Sequence, residues 1–233
     1  MYNEILIYSL SSFFLLFICA KISYKLNLID LPNKRKIHIN PTANTGGFAI
    51  ILSLLFALQA LDVFDKILGL ILSISFLISI VGLIDDKFHL NTGGKLSLQV
   101  IPIFYLIVFE NLTLNHIGAY NHFLLEIGSF TVPFTLLCVL FLTNAFNYFD
   151  GIDGTLSFTT ISVLVILYFL VPDKNFQLFL IMILIPIIIF LCFNFSLLGL
   201  PKLFLGDSGS LLLGFIISFI LIYLANQKFI HPI

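Results

Sequence analysis

Long uncharged stretches alternate with short polar ones along most of this chain. Read past Glu4, eight predominantly apolar stretches lack Asp, Glu, Lys and Arg, and they cover residues 5–20, 37–61, 67–84, 96–109, 127–149, 154–172, 175–201 and 208–227. A transmembrane helix needs about 20 predominantly apolar residues, so most of these stretches are long enough to cross a bilayer. We therefore predict an all-α, polytopic transmembrane bundle of about eight helices, forming one integral domain over residues 1–233.

The predicted spans lie at about residues 5–24, 46–61, 67–84, 96–109, 132–149, 155–171, 176–195 and 210–226. The fourth has only 14 uncharged residues, which is short for a crossing, so we expect it to extend past Glu110 toward Leu114. Apolar residues alternate with others on both sides of residues 118–121. This alternation predicts a small β-hairpin between the fourth and fifth spans.

Basic residues are distributed unequally between the two ends of the predicted bundle. One side holds Lys21, Lys25, Lys34, Arg35, Lys36, Lys87, Lys95 and Lys202, and the other holds Lys66, Lys174 and Lys228. The positive-inside bias places the first group in the cytoplasm and the hairpin outside. Because the formal net charge is only -1, the composition gives no support for nucleic-acid binding.

Five carboxylates on the predicted cytoplasmic side belong to three short motifs. The motifs are Asp85-Asp86-Lys87 after the third span, NAFNYFDGIDG (residues 144–154) at the end of the fifth, and FLGDSGS (residues 204–210) at the start of the eighth. The carboxylates are those of Asp85, Asp86, Asp150, Asp153 and Asp207. For the first motif alone, a polar cap where the helix leaves the membrane is an equal alternative to a functional site.

In the second motif, Asn144, Asn147 and Asp150 recur every three residues, which predicts that they share one stripe of a helix. Gly151 and Gly154 allow the backbone to turn tightly and to approach a ligand closely. A simple connection between helices would explain the glycines. It would not explain two amides in an apolar span, where polar groups are costly and usually functional.

In the third motif, Asp207 or Ser208 would equally serve as the N-cap of the eighth helix. Taken together, however, the motifs place five carboxylates and two amides on one membrane face. Hard oxygen ligands of this kind suit Mg²⁺ or Mn²⁺ better than zinc. The first cytoplasmic loop adds the basic run of residues 34–36, which fits either an anchor to anionic lipid or a diphosphate-binding surface.

With these motifs the chain resembles the polyprenyl-phosphate N-acetylhexosamine-1-phosphate transferases, glycosyltransferase family 4. The resemblance covers nearly the whole chain, through DLPNKRKIHINPTANTGG, DDK, NAFNYFDGIDG and FLGDSGS in the family's order and approximate spacing. It implies transfer of a sugar 1-phosphate from a UDP-N-acetylhexosamine to undecaprenyl phosphate, with release of UMP and with Mg²⁺ or Mn²⁺ as cofactor. The first-loop pattern resembles the branch that uses UDP-N-acetylglucosamine or related sugars more closely than the branch that uses UDP-N-acetylmuramoyl-pentapeptide.

The resemblance also implies a place and a set of roles. The reaction begins a cell-envelope glycan, such as the cell wall or lipopolysaccharide, on the cytoplasmic face of the bacterial inner membrane. Asp207 and Asn147 look like the metal site, and Asp85, supported by Asp86, looks like the group that keeps the acceptor phosphate deprotonated. Asp150 and Asp153 are expected to line the nucleotide-sugar pocket, and the remaining substrate-binding residues would be Arg35, Lys36, His38, Lys87 and Asn144.

One departure from the family keeps two hypotheses open. Family members usually continue into further helices and a cytoplasmic loop with a histidine cluster, whereas this chain ends at Ile233. The first hypothesis is an active transferase, with a homodimer left open. The second is a truncated or catalytically impaired membrane protein that keeps lipid-phosphate and metal binding. A transporter has less support, because transport favours ionisable groups near the bilayer midplane rather than at helix ends.

Overall fold

The computed structural model describes residues 2–32, 40–60, 65–120 and 123–227, and within these ranges it is a bundle of eight α-helices. The helices are α1 (Tyr2–Leu26), α2 (Gly46–Ala60), α3 (Lys66–Phe88), α4 (Thr92–Val108), α5 (Thr131–Phe149), α6 (Thr155–Leu170), α7 (Lys174–Asn194) and α8 (Gly206–Asn226). The strands are β1 (Ile29–Asp30), β2 (Thr42–Ala43), β3 (His116–Tyr120) and β4 (Phe123–Glu126). Each predicted span overlaps one of these helices.

Five helical segments are long and apolar enough to cross a membrane, and these contain α1, α3, α5, α7 and α8. The other three described helices, α2, α4 and α6, are apolar but shorter, with 15, 17 and 16 residues. This confirms the predicted class, a helical membrane protein. The β-hairpin is also confirmed, since β3 and β4 pair antiparallel with an irregular register between His116 and Gly118.

The prediction for α4 was wrong at both ends. The helix ends at Val108 instead of extending past Glu110, because the chain reverses soon afterwards at Asn111, whose φ is 55°. It gains length at its start, where the Asn91 side chain caps the first turn by accepting a hydrogen bond from Gly94 N (2.7 Å). A polar side chain at the N-cap therefore sets the boundary that the uncharged stretch located too late.

Helix α8 is the core of the bundle, since every residue from 208 to 220 is buried. It packs mainly against α3 and α5, and also against α2. Glycines allow the closest approach: a methyl group on Gly47 would overlap the backbone of Gly209, and one on Gly82 would overlap the backbone of Asp207 and Ser208. The first turn of α8 is thus held against two neighbouring helices with no side chain between them.

Backbone hydrogen bonds fasten the segment before α8 to the segment before α2. Phe204 N donates to Ala43 O (2.8 Å), Gly46 N donates to Phe204 O (2.9 Å), and Gly47 N donates to Leu205 O (2.8 Å). These bonds form a short parallel pairing next to the β1–β2 pair. The starts of two helices that are far apart in sequence therefore lie side by side.

A proline in α7 leaves one backbone carbonyl inside the bundle without its usual helical hydrogen bond. Pro186 has no N–H to donate to the carbonyl of Met182, four residues earlier. The hydroxyl of Tyr8, on α1, is buried and donates to this oxygen at 2.9 Å. Because a buried carbonyl without a partner is costly, this bond helps to fix α1 against α7.

Successive helices alternate in direction, so all three motifs come to one end of the bundle. The carboxyl ends of α1, α3, α5 and α7 and the amino ends of α2, α4, α6 and α8 lie there. The β3–β4 hairpin follows the carboxyl end of α4 and precedes α5, so it lies at the opposite end. This agrees with the predicted placement of motifs and hairpin on opposite sides of the membrane.

Candidate active site

A polar cavity of about 1060 Å³ opens at the motif-bearing end of the bundle. All five motif carboxylates line it, together with Asp30 from β1. The chain therefore brings together, in one place, acidic residues from α3, the α5–α6 loop and α8. Lys87 and Lys202 also line the cavity and supply positive charge, and His89 is a further lining residue.

Lys95 of α4 lies at the centre of the acidic cluster. Its ammonium group is 2.7 Å from Asp85 Oδ2 and 2.7 Å from Asp207 Oδ2, and it donates to Asn147 Oδ1 at 2.9 Å. Three oxygen atoms from three helices thus converge on one cation. The Lys95 and Asp85 side chains are only 13% and 11% exposed, so this ion pair is largely shielded from water, whereas the Asp207 side chain is 35% exposed.

The Asn147 side chain joins α5 to α8 at the same point. Its amide nitrogen donates to Asp207 Oδ1 (2.9 Å) and to the hydroxyl of Ser210 (2.8 Å). The two residues that the resemblance assigns to a metal are therefore in direct contact. Ser210, one helical turn after Asp207, is a further member of the site that sequence reasoning did not select.

The two neighbouring carboxylates of α3 have different surroundings. Asp85 pairs with Lys95 and accepts a hydrogen bond from Leu90 N at 2.9 Å. Asp86 instead accepts from Asn44 Nδ2 (2.7 Å) and from the backbone N–H groups of Asp207 (3.2 Å) and Ser208 (3.3 Å). Neither Asp207 nor Ser208 caps α8 with its own side chain. The cap comes from Asp86.

Asp150 lies just beyond the end of α5, with φ -79° and ψ 68°. The prediction that it shares a helical stripe with Asn144 and Asn147 is therefore wrong, because the helix ends one residue before it. Burial, followed by the nearby charges of Asp207 and Asp153, raises the pKa of Asp150 from 3.8 to about 7. This carboxyl group is thus set to exchange a proton near neutral pH.

Asp153 forms an ion pair with Lys202 at the rim of the cavity (2.7 Å). The pair links the α5–α6 loop to the segment before α8, and both side chains are about one-third exposed. Just before α6, Gly154 has a φ of 75°, and a methyl group there would collide with the Phe195 ring. This positive φ gives a backbone reason for the glycine.

Asn144 lies deeper along α5 and faces α4 rather than the cavity. Its amide exchanges two hydrogen bonds with Gln99 (2.7 and 3.3 Å) and donates to Leu140 O (2.8 Å). An apolar groove of about 610 Å³ adjoins it on the same two helices. The groove is lined by Leu96, Leu137, Leu140, Phe141, Asn144, Ala145, Tyr148 and Phe149.

Asn194 supplies an unsatisfied polar atom to the cavity. The residue is only 3% exposed, and its side-chain nitrogen donates to Leu203 O at 3.0 Å. No described residue donates a hydrogen bond to its Oδ1 atom. A buried acceptor without a partner is rare, so it marks a point where a ligand N–H or O–H would be bound favourably.

Three of the predicted substrate-binding residues, Arg35, Lys36 and His38, lie outside the described residues. Lys87 lines the cavity, with its ammonium group 5.8 Å from the centre of the Phe88 ring. Sequence reasoning missed Lys95, which it counted only toward topology. The position of Lys95 could have indicated its role. A cation in the first turn of a helix is disfavoured by the helix dipole and needs a compensating partner.

The donor atoms of the site suit a divalent cation. Among the described residues no group of three or more His, Cys, Asp or Glu side chains is arranged to hold a metal ion. However, Mg²⁺ is usually held by only one or two carboxylates together with water and substrate phosphates. Asp85, Asp207 and the Asn147 amide oxygen already converge on one cation, that of Lys95, so these residues fit such an ion.

The fold and cavity define a helical integral membrane protein with an acidic, lysine-bridged pocket at one end of the bundle. Residues 67–225 match the family described as Glycosyl transferase family 4, and the chain belongs to this family.

Several relatives align with most of this chain. An undecaprenyl-phosphate alpha-N-acetylglucosaminyl 1-phosphate transferase from Yersinia pestis is 31% identical, with 100% of this chain and 65% of the relative covered. The protein of the same name from Escherichia coli is 30% identical, with 94% and 60% covered. A probable undecaprenyl-phosphate N-acetylglucosaminyl 1-phosphate transferase from Bacillus subtilis is 30% identical, with 86% and 56% covered. The chain thus spans less than two thirds of the length of these relatives.

Proposed function

We propose that this protein transfers N-acetylhexosamine 1-phosphate from a UDP-sugar to undecaprenyl phosphate and releases UMP, with Mg²⁺ or Mn²⁺ bound. The observation that carries the proposal is the convergence of Asp85, Asp207 and Asn147 on one cation inside a polar cavity. Phosphoryl transfer depends mainly on in-line positioning and on neutralisation of charge, and this cluster suits both needs. The names of the relatives supply the substrates.

The reaction exchanges one phosphorus–oxygen bond for another. An oxygen of the lipid phosphate attacks the phosphorus that carries the sugar, and a new P–O bond forms. The P–O bond to UMP breaks, and its electron pair leaves with UMP. Asp207 and Asn147 would hold the ion, which would neutralise charge on the diphosphate and the leaving group, and the neighbouring Asp85 would stay available to take up the proton of the acceptor phosphate.

The positions of the other cavity residues suggest their roles in the proposed reaction. Asp85, at the junction of α3 and α4, keeps the acceptor phosphate deprotonated. Asp150 and Asp153 line the side of the cavity assigned to the nucleotide sugar, and Lys202 supplies a nearby cation. The Asn194 Oδ1 atom, which has no described hydrogen-bond partner, accepts a hydrogen bond from the UDP-sugar.

The apolar groove on α4 and α5 gives the prenyl chain of the acceptor a place to lie. Its lining is apolar apart from Asn144 and the Tyr148 hydroxyl, and Tyr148 and Phe149 directly follow the site residue Asn147. A lipid lying there would bring its phosphate toward the carboxylate cluster. The active end of the bundle faces the cytoplasm of a bacterium, where UDP-sugars are available.

The test uses purified protein in detergent with undecaprenyl phosphate, Mg²⁺ and UDP-N-acetylglucosamine labelled in the sugar. Label should move into the lipid fraction with stoichiometric release of UMP. Asp207→Asn should lower the rate by at least about 100-fold, the order expected when reacting groups lose their alignment, without loss of folded protein. Substitution of Asp65 by Asn, at the opposite end of the bundle, serves as the matched control and should retain the wild-type rate.

Two outcomes would count against the proposal. Transfer that is unaffected by Asp207→Asn would remove that carboxylate from the site. Binding of lipid phosphate without any transfer, by protein that is folded and supplied with Mg²⁺, would favour the catalytically impaired binding protein instead.

A further inference from the structure

The first turn of α8 receives its cap from a distant part of the chain. The residue at the N-cap is Leu205, which offers no side-chain hydrogen bond to the helix. The first backbone N–H groups of an α-helix have no partner within the helix and need one from elsewhere. In α8, two of these groups belong to Asp207 and Ser208, next to the proposed reaction centre.

Asp86 provides the missing acceptors from α3. Its Oδ1 accepts from Asp207 N (3.2 Å), and its Oδ2 accepts from Ser208 N (3.3 Å), more than 120 residues away in sequence. Asn44, just before α2, donates from Nδ2 to Asp86 Oδ1 at 2.7 Å and so holds the carboxylate in place. Both carboxylate oxygens are therefore engaged in supporting the backbone of α8.

The surrounding backbone is shaped for this contact. Gly82 lies one turn before Asp86 on α3, and a methyl group there would overlap the backbone of Asp207 and Ser208. Gly206 has a φ of 74°, and a methyl group there would lie 2.8 Å from Asp86 Oδ2 and 2.8 Å from Asn44 Oδ1. Small residues on both sides thus allow the carboxylate to reach the helix end directly.

We propose that Asp86 is a positioning residue whose carboxylate fixes the first turn of α8, and with it the Asp207 side chain, relative to Asp85 and Lys95. Its partners are the backbone of the residue it positions, whereas Asp207 uses its own carboxylate for Lys95 and Asn147. A displacement of about 1 Å at a reaction centre can cost on the order of 100-fold in rate. The catalytic part of this inference rests on the proposed function, but the capping part does not.

Swapping the amide of Asn44 and the carboxylate of Asp86 tests whether Asp86 positions the helix or takes part directly in the reaction. Asp86→Asn removes the negative charge and one acceptor, and its new amide faces the amide of Asn44. The double variant Asn44→Asp with Asp86→Asn restores a donor–acceptor pair with its direction reversed, keeps the net charge, and leaves an amide oxygen for the α8 backbone. Asn44→Asp alone, which sets two carboxylates against each other, is the matched control.

Two measurements are made on each variant in detergent. Residue-resolved hydrogen–deuterium exchange by mass spectrometry reports the protection of the Asp207 and Ser208 amides, and it requires no substrate. Transfer of labelled sugar gives kcat and KM for the donor. Thermal unfolding verifies that each variant is folded at the temperature of the assay.

We expect Asp86→Asn to speed exchange of these two amides by about tenfold or more, as expected if about 1.4 kcal/mol of protection is lost. We also expect it to lower kcat about 100-fold while KM changes little, because the cavity walls remain. In the double variant the amide nitrogen introduced at position 86 faces position 44 and its oxygen faces Ser208 N, so the Ser208 amide should recover its protection and kcat should recover in part. Each single variant should be impaired.

Three results would overturn the inference. Unchanged amide exchange in Asp86→Asn would mean that the carboxylate does not hold α8. Recovery of amide protection in the double variant without recovery of kcat would make Asp86 a direct participant in the reaction. A wild-type kcat in Asp86→Asn would show that the cap on α8 is not needed for catalysis. If the wild-type protein transfers no sugar, the proposed function fails, and amide exchange alone decides whether Asp86 holds the helix.

Discussion

At the scale of single residues, Lys95 sets the charge balance of the site. Its ammonium lies in the first turn of α4, where the helix dipole is unfavourable to a cation, and two carboxylates offset that cost. On the proposed function, the Asp207 and Asn147 oxygens would also hold a divalent ion beside Asp85. Lysine and metal ion would then compete for Asp207, and the lysine would have to move for the ion to bind.

Replacement of Lys95 by Met should tighten the binding of Mn²⁺, because a competing positive charge is removed from the carboxylates. We expect at least about a tenfold lower dissociation constant, which corresponds to only about 1.4 kcal/mol of relieved repulsion. Electron paramagnetic resonance of free Mn²⁺ measures this without any assay of activity. Lys87→Met, at the rim of the cavity, is the control and should change the constant much less. Weaker binding in Lys95→Met would show that the lysine supports the ion rather than competing with it.

Asp150 should make stability depend on pH in a definite direction. Because the pKa of its carboxyl is raised from 3.8 to about 7, the folded protein holds a proton that the unfolded chain releases between these values. The contribution of protonated Asp150 to the stability of the folded protein is fully present below pH 3.8 and is lost as pH rises toward 7. The gap in unfolding temperature between Asp150→Asn and wild type should therefore rise in favour of the variant from pH 5 to pH 8, in buffer with EDTA. A constant gap would contradict the raised pKa.

At the scale of elements, the contact between α3 and α8 sets the distance between the two acidic motifs. Gly82 and Asp86 lie on one face of α3, and the first turn of α8 rests on that face. Helices that pack through glycine approach more closely than larger side chains allow, as is common in membrane bundles. This close approach brings Asp85 and Asp207 to the same lysine.

Gly82→Ala should separate the two helices, because its methyl group would overlap backbone atoms that cannot rotate away. Overpacking of this kind costs about 1–3 kcal/mol, so the unfolding temperature and the transfer rate should both fall. Gly93→Ala is the control, since its methyl group would meet no neighbouring atom closer than 3.7 Å. Equal behaviour of the two variants would mean that α3 and α8 can shift without consequence.

The bond from Tyr8 to α7 is a second contact between elements that can be tested. Tyr8→Phe leaves the Met182 carbonyl without a partner and should destabilise the protein by about 1–2 kcal/mol. Pro186→Ala returns an N–H to this carbonyl, so the double variant should lose less stability than the sum of the single losses. Thermal unfolding of all four proteins completes the cycle. Simple additivity would show that Tyr8 does not replace the missing helical bond.

At the scale of the whole molecule, alternation of the helices separates a polar, carboxylate-lined end from an end that carries a hairpin. The basic residues concentrate at the first end, which the positive-inside bias assigns to the cytoplasm. The substrates of the proposed reaction require this orientation. We therefore expect the two ends to face different compartments.

Labelling of single cysteines tests the orientation in intact cells. In a background with Cys19, Cys138 and Cys192 replaced by Ala, a membrane-impermeant maleimide should label Glu126→Cys in the hairpin. Ile152→Cys, in the α5–α6 loop and 70% exposed, should react only after the cells are permeabilised. Labelling of Ile152→Cys in intact cells would reverse the orientation.

The sequence by itself determined the features that depend on neighbouring residues. Uncharged length located all eight helices, and alternation located the hairpin, because a bilayer requires long apolar helices and a hairpin requires local alternation. The three motifs also identified five of the six aspartates that line the cavity, all except Asp30. These properties can be read from short windows of the chain.

Only the tertiary structure decided how these residues work together. Lys95, the cap that Asp86 gives to α8, and the pair of Asn144 with Gln99 all join residues more than 40 positions apart. The end of α5 before Asp150 likewise shows that a spacing of three does not by itself fix a shared helical face. Such contacts depend on which helices pack together and how closely, and that is set by packing across the bundle rather than by local pattern.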